Sequence, residues 1–323
     1  MLGSVVKMNT RLLFAPLLLA LLLAGCSGSE EKFPKVITIT DDQVQPIIAN
    51  SEIVVGLNRL VLGIIGPEGR LLIDAKVHLV FYELATSGAI QRFETDAVSS
   101  VPARDAGVTE QVEHIHADAS RHTHLNAGED VGFYSALVNL DKPGDWGVEM
   151  QVVSQNPPFN GKLLPRFNVI ERGSTPAVGS AAPKTVNRTV KDVADLAQID
   201  SSAKPSPEMH TTTVAAAIEA GKPALVLFAV PGFCESRLCG PELEIMRKLL
   251  PKYQSKAEFI HIEFYENPGA SARVPVQAVV DWNLRSEPWF FVIDAKGLIA
   301  AKFEGPASLQ ELEEALQKVV AGG

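Results

Sequence analysis

The stretch ALVLFAVPGFCESRLCGPELEIMRKLL, residues 224–250, decides how this chain is read. Its first seven residues are wholly apolar, the length and character of a strand buried on both faces. Pro231 and Gly232 then break the run, and from Pro241 to Tyr253 the pattern is helical. Between strand and helix stand Cys234 and Cys239, with Glu235, Ser236, Arg237 and Leu238 between them. A helix start offers unpaired amide groups and the positive end of its dipole, so a sulfur placed there is favoured as an anion. The thiolate is both the nucleophile of disulfide exchange and a soft metal ligand. Cys234 is expected to be the more exposed, attacking sulfur, with Arg237 in its loop, and Cys239 the resolving one. A bridge needs Cα atoms about 4.4–6.8 Å apart, which requires the hydrophilic Glu235-Ser236-Arg237 to loop. Closing so short a loop gives little entropic stabilisation. Redox exchange, a static clamp and metal binding all remain open readings of the pair.

Outward from this motif, helices are expected over 212–220, 241–253, 276–284 and 308–320, and strands over 224–230, 258–265, 289–294 and 297–303. Ser308, with Glu311 three residues on, has the spacing of a capping box. This α/β order, with the thiols after the first apolar strand, resembles the thioredoxin fold over roughly residues 178–321. The matching residues are Leu225-Val226-Leu227-Phe228, the segment from Phe233 to Pro241, and Pro288 directly before Trp289-Phe290-Phe291-Val292. The resemblance implies a cis Pro288 facing the dithiol. The opening Val178-Gly179-Ser180-Ala181-Ala182-Pro183 is similar to the start of peroxiredoxin and SCO-type members.

The chain also departs from those families. Thioredoxins carry two residues between the cysteines and SCO-type copper chaperones three, whereas four stand here. The buried aspartate that moves protons in thioredoxins has no counterpart, because the strand before Cys234 is apolar throughout. In FIHIEFYE, residues 259–266, Phe259, His261, Glu263 and Tyr265 share one face of a strand. His261 or Glu263 is thus a candidate replacement proton acceptor. Alternatively His261 joins both thiols as a third copper ligand in SCO fashion, or is a hydrogen-bonded core histidine. Trp282, Arg285 and Trp289 flank the Pro288 loop, either as the rim of a partner groove or as core.

Residues 33–171 are β-rich, with runs over 36–40, 53–65, 75–84, 132–140, 146–153 and 163–170 separated by turns such as Pro67-Glu68-Gly69 and 141–145. The reading is an all-β, immunoglobulin-like sandwich. Residues 172–187, small and proline-containing, form a linker or the first strand of the following domain, and 188–323 the thioredoxin-like domain. His114, His116, His122 and His124 fall within EHIHADASRHTH, residues 113–124. Imidazoles in H-x-H steps suit Cu(II), Zn(II) or Ni(II), against a plain solvated loop. A weak resemblance to periplasmic sandwich domains of the copper-resistance and FixH type would make copper a theme of both halves.

At the N-terminus, Lys7 and Arg11 precede an apolar run too short to span a bilayer, which needs about 20 residues. Residues 1–25 therefore read as an export signal. Leu23-Ala24-Gly25-Cys26 resembles the lipobox of bacterial lipoproteins, which implies a diacylated Cys26, a tether over 26–32 and a place in the cell envelope outside the cytoplasm. Three cysteines in 323 residues exclude a disulfide-stapled mini-scaffold. A net charge of −9, without a basic cluster, argues against nucleic acid. The expectation is a two-domain, membrane-anchored protein whose partners are protein thiols or disulfides. It requires no cofactor, with copper as the alternative cargo, and nothing indicates a nucleotide or flavin site.

Overall fold

The computed structural model describes residues 44–108, 112–115, 121–124, 131–234, 238–269 and 273–321. Strands β1 (Gln45–Ile48), β2 (Gly56–Ile65), β3 (Lys76–Ala85) and β4 (Gly88–Ser100) come first, followed by the short helix α1 (Pro102–Ala106). Next are β5 (Val112–Ile115), β6 (Arg121–His124), β7 (Phe133–Leu140), β8 (Gly144–Gln155), β9 (Pro158–Leu163) and β10 (Arg166–Val169). Apart from the β5–β6 pair, these strands form one hydrogen-bonded sheet in the order β1-β2-β7-β4-β3-β8-β10, with β9 on β8.

The sandwich reading led us to expect two separately bonded sheets, and the arrangement differs because of β4. Its first ten residues pair with β3, and Val98–Ser100 pair with β7, so a single long strand carries the sheet round the corner. At the far side Val55 N–H donates to the Ile170 carbonyl and Ile170 N–H to that of Ile53, both at 2.9 Å, so the sheet curls back on itself. Inside it lie Leu60, Leu62, Ile64, Val77, Leu79, Phe81, Tyr134, Trp146, Val148 and Met150. The alternation of Val77, Leu79 and Phe81 inward follows from the period-two pleat.

The C-terminal half contains α2 (Val214–Glu219), β11 (Ala224–Ala229), α3 (Cys239–Tyr253), β12 (Glu258–Glu263), α4 (Gln277–Asp281), β13 (Trp289–Ile293), β14 (Ile299–Glu304) and α5 (Leu309–Val320). Its sheet has the order β12-β11-β13-β14. β12 runs parallel to β11, which in turn is antiparallel to β13, and β13 to β14. The strand that leads to the cysteines thus lies inside the sheet, between β12 and β13. Every residue of β11 is buried, as a strand covered on both faces must be. The capping box at α5 is present, Ser308 and Glu311 each accepting the other's backbone N–H.

Residues 172–187 do not run free. Gly179 and Ile299, then Ser180 and Ile299, exchange backbone hydrogen bonds of 2.8 and 2.9 Å along β14, and the Thr185 hydroxyl accepts from the buried Trp282 indole at 2.7 Å. The two halves are tied directly by Arg59, whose guanidinium donates to both carboxylate oxygens of Glu311 at 2.6 and 2.9 Å and to the Pro306 carbonyl at 2.8 Å.

Candidate functional site

β11 ends at Ala229, and the chain turns through Val230-Pro231-Gly232-Phe233 to Cys234. Gly232 is required at that turn. A Cβ there would lie 2.3 Å from the Ser201 carbonyl oxygen, and the glycine's own N–H donates to the Ser201 hydroxyl at 2.9 Å. Helix α3 then begins at Cys239, two residues earlier than the periodicity suggests. The two cysteines are free thiols, and the Cys239 backbone N–H donates to Cys234 Sγ at 3.3 Å. An amide at a helix start, aimed at a sulfur, favours the thiolate over the thiol. Cys234 is 6% exposed and Cys239 0%, which leaves Cys234 as the sulfur nearer the surface. Burial, reinforced by the neighbouring Cys234 and Glu287, pushes the Cys239 thiol well above its usual range.

The third group at the dithiol comes from the loop before β13. The Glu287–Pro288 peptide bond is cis, and the Glu287 carboxylate lies with both sulfurs, all three within 4.8 Å of one another. The trio is thus a sulfur that accepts an amide at a helix start, a second, fully buried sulfur, and a carboxylate within 4.8 Å of both. The same trio is two soft donors and one hard donor for a metal ion.

His261 and Glu263 are not members of this trio. β12 pairs with β11 in register His261 with Leu227 and Glu263 with Ala229, and the 199–210 segment packs over the face that carries both side chains. Glu263 is committed to Ser201, accepting from its backbone N–H at 2.8 Å and its hydroxyl at 3.1 Å. Burial drives its carboxyl well above the ordinary range, so it is a neutral structural group two hydrogen bonds from the Cys234 turn. His261 corrects the copper-ligand expectation, because its ring groups with Asp200 and His210 instead of the sulfurs. It also lacks the hydrogen bonds of a satisfied core histidine. Among the described residues neither ring nitrogen has a partner of hydrogen-bond geometry, the Ala229 carbonyl contributing only a weak pull toward protonation.

Trp282 and Trp289 are core residues, 0% and 1% exposed, each with its indole N–H bonded, to Thr185 and Ser286 respectively. Arg285 is exposed beside them. His114 stands opposite His122 and Val112 opposite His124 in the β5–β6 pair. His116, Cys26 and the Glu235-Ser236-Arg237 loop lie outside the described residues.

Sequence reasoning missed Glu287, Asp200 and His210. Glu287 sits in an Arg-Ser-Glu-Pro turn that reads as solvated, although the expected position of Pro288 already placed its neighbour close to the dithiol. Asp200 and His210 are far in sequence from His261, and no spacing links them.

No protein-family model matches the chain, and no curated protein sequence does. Among solved structures, a protein described as the thiol:disulfide interchange protein DsbE from Chlorobium tepidum is 13% identical, with a TM-score of 0.34 over 45% of this chain and 99% of its own. A thioredoxin-family thiol:disulfide interchange protein from Chlorobium tepidum TLS is 19% identical, with a TM-score of 0.30 over 46% of this chain and 99% of its own. A thioredoxin-like protein in its oxidised form is 16% identical, with a TM-score of 0.26 over 31% and 79%.

Proposed function

We propose that this protein is a thiol–disulfide oxidoreductase, held by a lipidated Cys26 outside the cytoplasm, whose working pair is Cys234 and Cys239. The observation that carries the reading is the Cys239 amide donating to Cys234 Sγ, with the Glu287 carboxylate within 4.8 Å of both sulfurs. In the reducing direction the Cys234 thiolate attacks one sulfur of a substrate disulfide, and the other substrate sulfur leaves as a thiolate. Cys239 then gives its proton to Glu287 and attacks Cys234, so the second substrate sulfur departs. The protonated Glu287 supplies a proton to a departing thiolate. Two electrons have passed to the substrate and the enzyme holds the Cys234–Cys239 disulfide. The oxidising direction is the reverse. Pro288 shapes the wall against which the substrate backbone lies, and the curled N-terminal sheet positions this face above the membrane.

The test is Cys239→Ala in the full chain. Without the resolving sulfur, mixed disulfides between Cys234 and partner proteins accumulate, and adding Cys234→Ala abolishes them. A copper-carrying reading is favoured by the same trio, with Glu287 in place of a histidine. It predicts loss of bound Cu(I) in Cys239→Ala with no trapped partner. Retention of wild-type behaviour in both variants would mark the pair as a structural clamp.

A further inference from the structure

Asp200, His210 and His261 form a second buried constellation that disulfide exchange does not use. All three are 0–1% exposed. His210 closes the turn Pro207–His210, His261 lies within β12, and Asp200 sits between them at the head of the covering loop. The carboxylate is fixed by the loop's own amides, Oδ1 accepting from Ser202 N–H at 3.0 Å and Oδ2 from Ser206 N–H at 2.9 Å. The Arg247 guanidinium in turn clamps the Ser202 and Ser206 hydroxyls at 3.0 and 2.7 Å. From this fixed oxygen, His210 Nε2 is 3.4 Å away and His261 Nδ1 4.0 Å, with the rings edge to face at 5.2 Å.

Ligands bonded at about 2.0–2.2 Å to one tetrahedral ion stand roughly 3.4 Å apart; His210 already has that separation from the Asp200 oxygen, and with all three ligand atoms within 4.8 Å of one another, binding an ion draws the His261 ring inward. Among the described residues, His210 Nδ1 and both ring nitrogens of His261 have no partner of hydrogen-bond geometry. Burying such groups unpartnered is costly, and native folds keep few of them without a reason. A cleft of ≈ 110 Å³ lined by Gln198, Ile199, His261 and Gln277 adjoins the cluster and offers an approach for the ion and a fourth donor.

We infer that Asp200, His210 and His261 are the ligands of a divalent first-row transition-metal ion. Two imidazoles and one carboxylate, without sulfur, suit a borderline ion such as Zn(II) or Co(II).

The probe is Zn(II), in a full-chain background in which Cys234, Cys239, His114, His116, His122 and His124 are alanine, which removes every other cysteine or histidine cluster. This background is expected to retain one equivalent after dialysis. Adding His261→Gln or His210→Gln lowers the affinity by more than the roughly 10–100-fold that loss of a mere supporting partner costs. Since a glutamine variant that misfolds would give the same loss, Co(II) is added to the unsubstituted cluster in the same background. A four- or five-coordinate d–d spectrum without sulfur charge-transfer bands is the expected result. A background that retains no Zn(II), affinity unchanged in His261→Gln, or a six-coordinate Co(II) spectrum would each overturn the assignment.

Discussion

Two carboxyls, the buried Glu263 and the half-buried Glu287, lie around the thiol turn, and their surroundings assign them different work. Glu263 has both oxygens satisfied by Ser201 and is held neutral by burial, which suits it to brace the Gly232 turn. Glu287 instead stands within 4.8 Å of the sulfurs, beside a Cys239 thiol that burial keeps protonated. A thiol with a raised pKa needs a base at neutral pH, and general base catalysis is typically worth 10²–10⁴-fold. Glu287→Gln is therefore expected to slow resolution of the mixed disulfide about 100-fold at pH 7, measured by stopped-flow with a preformed mixed disulfide on Cys234. The deficit shrinks as pH rises toward the thiol's own pKa, because deprotonation then needs no carboxylate. A rate unchanged by the substitution would remove Glu287 from the mechanism. In the sequence the thiols themselves were plain as a pair at a strand-to-helix junction, with exchange, a clamp and metal binding all compatible with their spacing. The proton acceptor was not, because the cis turn that brings Glu287 over α3 leaves no periodic trace.

Helix α3 carries at its first residue the amide that donates to Cys234 Sγ, and a fully buried acid, Glu242, in its first turn. One Glu242 oxygen accepts from the Ala307 N–H at 3.1 Å. Burial raises its carboxyl well above the ordinary range, against the opposing pull of that amide and of Arg59. An acid whose pKa is raised by folding contributes full stability below its unfolded value, about 4.3, and loses it as pH rises toward the folded value. Glu242→Gln keeps the acceptor and removes the titration. The variant's melting temperature is thus expected to equal the wild type's at pH 4 and to exceed it by a few degrees at pH 8, as read by calorimetry. An equal offset at both pH values would contradict the assignment. Elements with strong local signals were legible, β11 from its unbroken apolar run and α5 from Ser308 and Glu311. β4 was not, because only scattered residues such as Phe93 point inward from a mostly polar, exposed strand. Its hydrogen bonds to β3 and β7, rather than its own composition, make it a strand, and it is the element that turns the expected pair of sheets into one.

Across the whole molecule, Arg59 joins the curled sheet to the end of the C-terminal half. Its side chain is 8% exposed and its bidentate partner Glu311 also caps α5. Charge-assisted hydrogen bonds of this kind contribute about 1.5–3 kcal/mol. Arg59→Ala is expected to destabilise the protein by about 2 kcal/mol in denaturant titration and to broaden the transition, since the halves lose the bidentate pair among the bonds that join them. A sharp transition with an unchanged midpoint would show that they fold independently of it. Nothing in the sequence links residues 252 positions apart, so this junction was invisible where each half alone was not. The claim on which the account turns is that Cys234 and Cys239 cycle between thiols and a disulfide. Equilibrating the full, metal-free chain with glutathione buffers measures this directly. The account predicts a reversible potential between about −270 and −120 mV, the span of thiol–disulfide exchange proteins. A bridge that stays oxidised below about −300 mV, or a pair that never bridges, would contradict it.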